Sequence, residues 1–143
     1  MSISKLLIPL ICLIPLLACE EEEPAKQIER EPAQLQLKLT DLRYELVDGR
    51  HTYFHKRHFT ESIGNGVTLT KGKVCVERGK TCVSARVRYR IDGGKKLEQP
   101  GHHVATRLIS DTITIEYWGK DDTGNNVRVI QELKVTGENF FIK

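Results

Sequence analysis

Aromatic side chains are scarce in this sequence, at 6% of 143 residues, with a single Trp and a single Met. No apolar run approaches the ~20 residues that a membrane-spanning helix needs. The longest, Leu6 to Ala18, is interrupted by Pro9 and Pro15. No window of about 11–18 residues repeats apolar side chains at helical spacing, so a helical bundle or coiled coil is excluded. A phosphate loop, a Gly-x-Ser-x-Gly elbow and a Cys-x-x-Cys pair are all missing, and with them the commonest nucleotide, serine-hydrolase and thiol-redox signatures. The length admits one ordinary domain. A multidomain enzyme and a polytopic membrane protein are thereby ruled out.

What is present divides into three segments that the net charge of +3 conceals. Residues 1–18 carry one charge, Lys5, ahead of the apolar run. Residues 19–34 carry six acids against Lys26 and Arg30, a net of −4. Residues 35–143 hold 19 bases and 13 acids, a net of +6. A charged start, an apolar middle and a small residue before a cut is the layout of a secretory signal.

Leu16-Leu17-Ala18-Cys19 resembles the lipobox of bacterial lipoproteins. The resemblance implies cleavage before Cys19 and acylation of that cysteine, and more than one acyl chain makes such anchoring stable. It places the protein in the bacterial cell envelope, facing the periplasm. Inner-membrane lipoproteins of enterobacteria carry Asp after the lipidated cysteine; Glu20 stands there, which favours the outer membrane. Glu20 to Gln34 then reads as an acidic tether. It has Pro24 and Pro32 but no aromatic residue with which to build a core. Extended, it reaches at most ~50 Å.

Of the four cysteines, Cys12 belongs to the leader and Cys19 to the anchor. Cys75 and Cys82 remain, and in an exported chain their expected state is a disulfide. Arg78-Gly79 between them marks a hairpin. A four-residue loop, Glu77 to Lys80, would set the two cysteines at a non-hydrogen-bonded position, where strands approach most closely. Closing this loop contributes ~2.5 kcal/mol in the chain-entropy model. Metal ligation is the lesser alternative, because no second Cys pair is available.

From Leu35 onward the apolar period is two. Leu35, Leu37 and Leu39 give way to Leu42, Tyr44 and Leu46, which predicts a bulge near Thr40-Asp41. Val67 and Leu69 mark one short strand, Val74 and Val76 another. The clearest strand runs from Cys82 to Ile91, with Val83, Ala85, Val87, Tyr89 and Ile91 on one face. Cys82, Ser84, Arg86, Arg88 and Arg90 take the other. Gln99 to His103 reads as a Gly/Pro/His connection, and Val104 to Ile109 as a helical turn or irregular edge. Ile113, Ile115 and Tyr117 pair with Val127, Val129, Leu133 and Val135 across Asp121 to Asn126, leaving Gln131 out of place on the apolar face. The apolar ending, Asn139 to Lys143, is expected to dock as a last strand. Six to eight short strands with regular turns predict an all-β fold: a small antiparallel β-sandwich, or failing that a small closed barrel. Ile113 to Val135, with its Asp-Asp-Thr-Gly-Asn-Asn loop, resembles the last hairpin of bacterial immunoglobulin-like domains.

Two constellations invite a chemical reading. His51, His55 and His58, with Glu61, would share one face of a helix as metal ligands do. But Thr52, Tyr53, Phe54 and Phe59 favour a strand, which sends His55 and His58 to opposite faces. Asp121-Asp122 is read as a turn former, not a catalytic pair. The second constellation is basic: Arg86, Arg88 and Arg90, flanked by Lys71, Lys73, Lys95 and Lys96, a stripe suited to an acidic partner. Aromatic residues do not interleave with it, so nucleic acid is not expected.

Neither catalysis nor a cofactor is expected. The expectation is a lipid-anchored, non-catalytic recognition module for an envelope protein, with Arg86, Arg88, Arg90, His102 and His103 as candidate contacts. Its organisation resembles the small exclusion lipoproteins of conjugative elements. The alternatives are a periplasmic inhibitor of the lysozyme-inhibitor type and, third, a metal-dependent enzyme using His51, His55 and His58.

Overall fold

In a computed structural model, residues 30–143 are described. The leader, Cys12, Cys19 and the first part of the tether lie outside the described residues. Eight strands follow in order: β1 (Leu35–Val47), β2 (Arg50–Glu61), β3 (Val67–Val76), β4 (Thr81–Ile91), β5 (Lys96–Thr106), β6 (Ser110–Asp121), β7 (Asn126–Thr136) and β8 (Asn139–Ile142). All pair antiparallel. One sheet runs β1-β2-β5 and the other β4-β3-β6-β7-β8, and the two pack face to face as a sandwich, not a closed barrel. Apart from β8 the strands are long, 10 to 13 residues, where the turn spacing suggested short ones.

The core lies where period-two alternation points the apolar side chains of both sheets inward. Leu37 and Leu39 of β1, Phe59 of β2, Leu69 of β3 and Ile113, Ile115 and Leu133 of the β6–β7 hairpin are all buried. Phe59 is wholly enclosed and meets Tyr117 edge-on at 5.1 Å; truncating such a side chain to Ala costs about 3–5 kcal/mol. The phase slip in β1 is a bulge between Thr40 and Arg43, with Asp41 at φ 53°. It hands the inward face from Leu39 to Leu42 and Tyr44, which pack on the core. Gln131 is buried on the apolar face and resolves its amide by donating from Nε2 to the Lys143 carbonyl at 2.6 Å. The apolar ending docks as β8 beside β7, with Phe140 against the core.

The chain entering the sandwich is tied down. Asn65 Nδ2 donates to the Glu31 carbonyl (3.0 Å), Ala33 N to Asp121 Oδ2 (3.1 Å) and Gln34 N to Glu61 Oε1 (3.3 Å). Residues expected to belong wholly to a free tether are therefore docked at its end.

Residues 99–109 need the largest correction. Gln99 to Thr106 is neither a connection nor a helical turn; it belongs to β5, an edge strand paired with β2, so of the two readings of Val104 to Ile109 the irregular edge is the nearer. Pro100 and Gly101 sit within a bulge where the register shifts between His55 and Arg57. Gly101 adopts φ 72°, a left-handed value that glycine reaches without strain. Pro100 is tolerated because β5 is an edge strand.

Candidate functional site

The sandwich has two unlike flanks. On one, β1 packs beside β7 and the flank is closed. On the other, the edge strands β4 and β5 lie opposite each other, and no strand among the described residues bridges them. Val83, which the alternation of β4 directs inward, is 68% exposed there. A cavity of about 460 Å³ opens between the sheets, with Val74, Val76, Val83 and Val104 among its walls and Arg50 and Arg107 beside them. A second, of about 220 Å³, adjoins it through Val74 and Val83 and reaches Arg57, His102 and Tyr117.

The unpaired edges are unequal. β5 is interrupted by Pro100 and its bulge, devices that discourage strand addition. The stretch Thr81 to Ala85 of β4 is regular and exposed, with one free side. The disulfide stiffens it: Cys75 and Cys82 are paired across β3 and β4 with Cα atoms 4.1 Å apart, as expected for a non-hydrogen-bonded position. The loop between them is the four residues Glu77 to Lys80. Asp111 steadies its start, accepting from the backbone N–H groups of Glu77 (2.6 Å) and Arg78 (2.8 Å).

The smaller cavity ends on a buried polar cluster. β2 directs Tyr53, His55, Arg57, Phe59 and Glu61 inward by simple alternation. His55 is 3% exposed and Arg57 6%. His55 Nδ1 lies 3.1 Å from the Tyr53 carbonyl, to which it donates, and its Nε2 accepts from Arg57 Nε at 3.1 Å. That pattern requires the neutral imidazole. Burial accordingly pushes the pKa of His55 down to about 4, helped by the Arg57 charge against the pull of the Tyr53 carbonyl. His102 stacks on His55 with centroids 6.2 Å apart and is likewise pushed down to about 4, by burial and then by Arg57. Arg57 also donates from Nη1 to the Tyr117 hydroxyl, whose pKa burial raises although Arg57 works against it.

No family model and no curated protein matches the sequence. Solved structures do match the fold. A Bordetella pertussis protein, provisionally designated ApaA and solved by crystallography, aligns with a TM-score of 0.57 at 13% identity over 76% of this chain and 97% of that one. A second structural-genomics target, solved by X-ray methods, aligns with a TM-score of 0.55 at 10% identity over 76% and 88%. The chain has an immunoglobulin-like sandwich fold. At such identities the likeness speaks for the fold alone.

Within that fold the candidate residues are dispersed. Arg86, Arg88 and Arg90 lie on the outer face of β4, on the side that also carries the disulfide. Arg90 is already engaged there, bonding Asp122 through both terminal nitrogens (2.5 and 2.9 Å) and Asp92 through Nε (2.9 Å). His102 and His103 part company: His102 faces the interior, while His103 lies beside Phe54 with centroids 5.6 Å apart. His51, His55 and His58 do not converge either. His51 meets Tyr44 (3.0 Å) and His58 meets Thr40 (2.7 Å). Glu61 is buried among backbone N–H groups at the far end of β2. Among the described residues no three His, Cys, Asp or Glu side chains form a metal site. Asp121 acts as a turn former, accepting from Thr123 N (3.0 Å) and Asn125 N (2.8 Å).

Arg57 escapes a first reading of the sequence. Its signal is phase: once Tyr53 and Phe59 are taken as inward, Arg57 shares their face.

Proposed function

We propose that the protein is a lipid-anchored, non-catalytic recognition module of the bacterial envelope, which grips an extended segment of a partner protein at the β4–β5 flank. The observation that carries this reading is the free, regular edge of β4 beside an apolar groove. An added strand would gain main-chain hydrogen bonds from β4 and bury alternate side chains against Val83 and Val74.

The position of the tether supports it. The chain enters at the pole of Glu61 and Asp121, whereas the exposed aliphatic side chains Leu46, Val47, Val83 and Ile109 lie toward the other end of the strands. A strand of 13 residues such as β1 separates the poles by about 40 Å. An anchor at Cys19 would therefore leave this surface facing away from the membrane.

A photo-reactive residue placed at Val83 in intact cells tests the reading, with Ile130, exposed on the other side of the sheet, as control. A single envelope protein joined from position 83 and not from 130 is the expected result; no adduct, or the same adducts from both, overturns it. Cys19→Ser should release the protein from the membrane and abolish the adduct. Within this class, the organisation favours exclusion by conjugative elements. Transfer into cells carrying Val83→Asp should then rise to the level of cells lacking the protein.

A further inference from the structure

Among the described residues, Arg57 is a buried cation whose hydrogen-bond partners are all neutral. Its hydrogen bonds go to the His55 imidazole and the Tyr117 hydroxyl, through Nε and Nη1, leaving Nη2 unused. None of the salt bridges among the described residues includes it. The groups that act electrostatically on its two histidine neighbours are cations or other histidines, with no carboxylate among them. Buried charges are ordinarily paired, because desolvation is not otherwise offset. Among the described residues no carboxylate balances it, and the guanidinium lines a cavity open to the flank.

We propose that this cavity is a receptor site for an aliphatic carboxylate, its head group on Arg57 and its hydrocarbon on Val74 and Val83. Nη2, together with the N–H of Nη1 that Tyr117 does not take, offers a planar carboxylate two hydrogen bonds. His102 and Tyr117 stand beside it as further polar contacts, and Lys73 is the other charged residue on the walls. Gly72 keeps the floor open: a Cβ there would come within 2.8 Å of the Tyr117 ring. A cavity of about 220 Å³ suits a small aliphatic acid better than a long acyl chain. A branched five-carbon acid is one such ligand. The last residue of a peptide ending in Val or Leu presents the same groups. The site stands whether or not the flank grips a protein strand.

Titration of the full-length chain with isovalerate, followed by NMR at the ring protons of His102 and Tyr117, tests the proposal. A parallel arm uses a tetrapeptide ending in valine and its C-terminal amide. Saturable binding with a Kd of roughly 1 mM or tighter is expected, with isovaleramide and the peptide amide at least ~10-fold weaker. Isovalerate binding more tightly than the peptide assigns the site to free acids, and the reverse to a chain terminus. Arg57→Met should abolish binding. Val83→Asp, at a position 68% exposed, should do so too by setting a carboxylate at the mouth. The proposal is overturned by no saturation up to about 50 mM, by equal affinity for acid and amide, or by inorganic phosphate binding more tightly than either acid. Undiminished binding to either variant overturns it as well.

Discussion

The pole where the chain enters and the flank between β4 and β5 are built on opposite rules. At the pole both buried carboxylates are satisfied, Glu61 by the backbone and Asp121 by backbone and side-chain donors together. Glu61 accepts from Gly94 N (2.7 Å), Gly64 N (2.8 Å), Ile63 N (3.0 Å) and Gln34 N (3.3 Å). Burial alone would raise its pKa, but these four donors hold it below the ordinary carboxylate range. At the flank a cation is buried without an anion, Val83 is exposed and a strand edge is unpaired. Among the described residues the buried side-chain atom left without a hydrogen-bond partner, Asn65 Oδ1, nevertheless lies at the entry pole. The contrast is one of charge: the pole pairs its buried carboxylates, and the flank leaves Arg57 without a counter-ion among the described residues.

The sharpest way to break this contrast is at Glu61. Glu61→Ala orphans four donors in a buried setting and should lower unfolding free energy by about 3–4 kcal/mol, measured as a fall in the urea midpoint. A smaller loss would mean that the pole is not the rigid end. Replacing Cys75 and Cys82 by Ser should cost ~2.5 kcal/mol. It should also speed hydrogen exchange at Thr81 to Ala85 more than at β7, because the staple serves β4 directly.

Acid should separate the two regions by pH. His55 and His102 have folded pKa values of about 4 against 6.5 unfolded, so the unfolded chain binds up to two more protons between those limits. Stability contributed by keeping them neutral is complete above pH 6.5, declines as pH falls toward 4, and changes no further below it. Glu61, with a folded pKa below its unfolded one, contributes stability above the unfolded value of 4.5 and loses it as pH falls through the folded one. Melting points recorded against pH should therefore fall in two stages, and His55→Gln should flatten the first alone. The smallest effect is expected at Val83→Ser: within about 0.5 kcal/mol of wild type in urea, because the side chain is already 68% exposed.

How much of this was readable beforehand varied with how far each feature depends on its neighbours in sequence. The β1 bulge, the Cys75–Cys82 hairpin and the docking of Phe140 were legible because alternation and turn residues report them locally. The β5 strand was not. Pro100 and Gly101 are breaker signals, and only its place at a sheet edge, beside β2, lets a strand absorb them. His102 and His103 read as one loop pair for the same reason, although pairing with β2 turns them to opposite faces. The Arg stripe was legible as a face but not as a site, because the Asp122 that claims Arg90 is 32 residues away in sequence. Arg57 was hidden in a different manner. An Arg among Lys56 and His58 reads as surface, and only the fold reveals that it lies under β4.

The docking of Glu31 to Gln34 has a mechanical consequence. The chain passes from this clamp directly into β1, which is joined to β2 by eleven register pairs along its length. If an anchor holds the N-terminal side while a bound partner draws on the far pole, the load runs parallel to β1. Its bonds to β2 are then sheared together instead of being peeled one at a time. Such a strand resists force far better in that direction than in any other, so the grip of a moving partner would be borne by the stiffest axis of the domain.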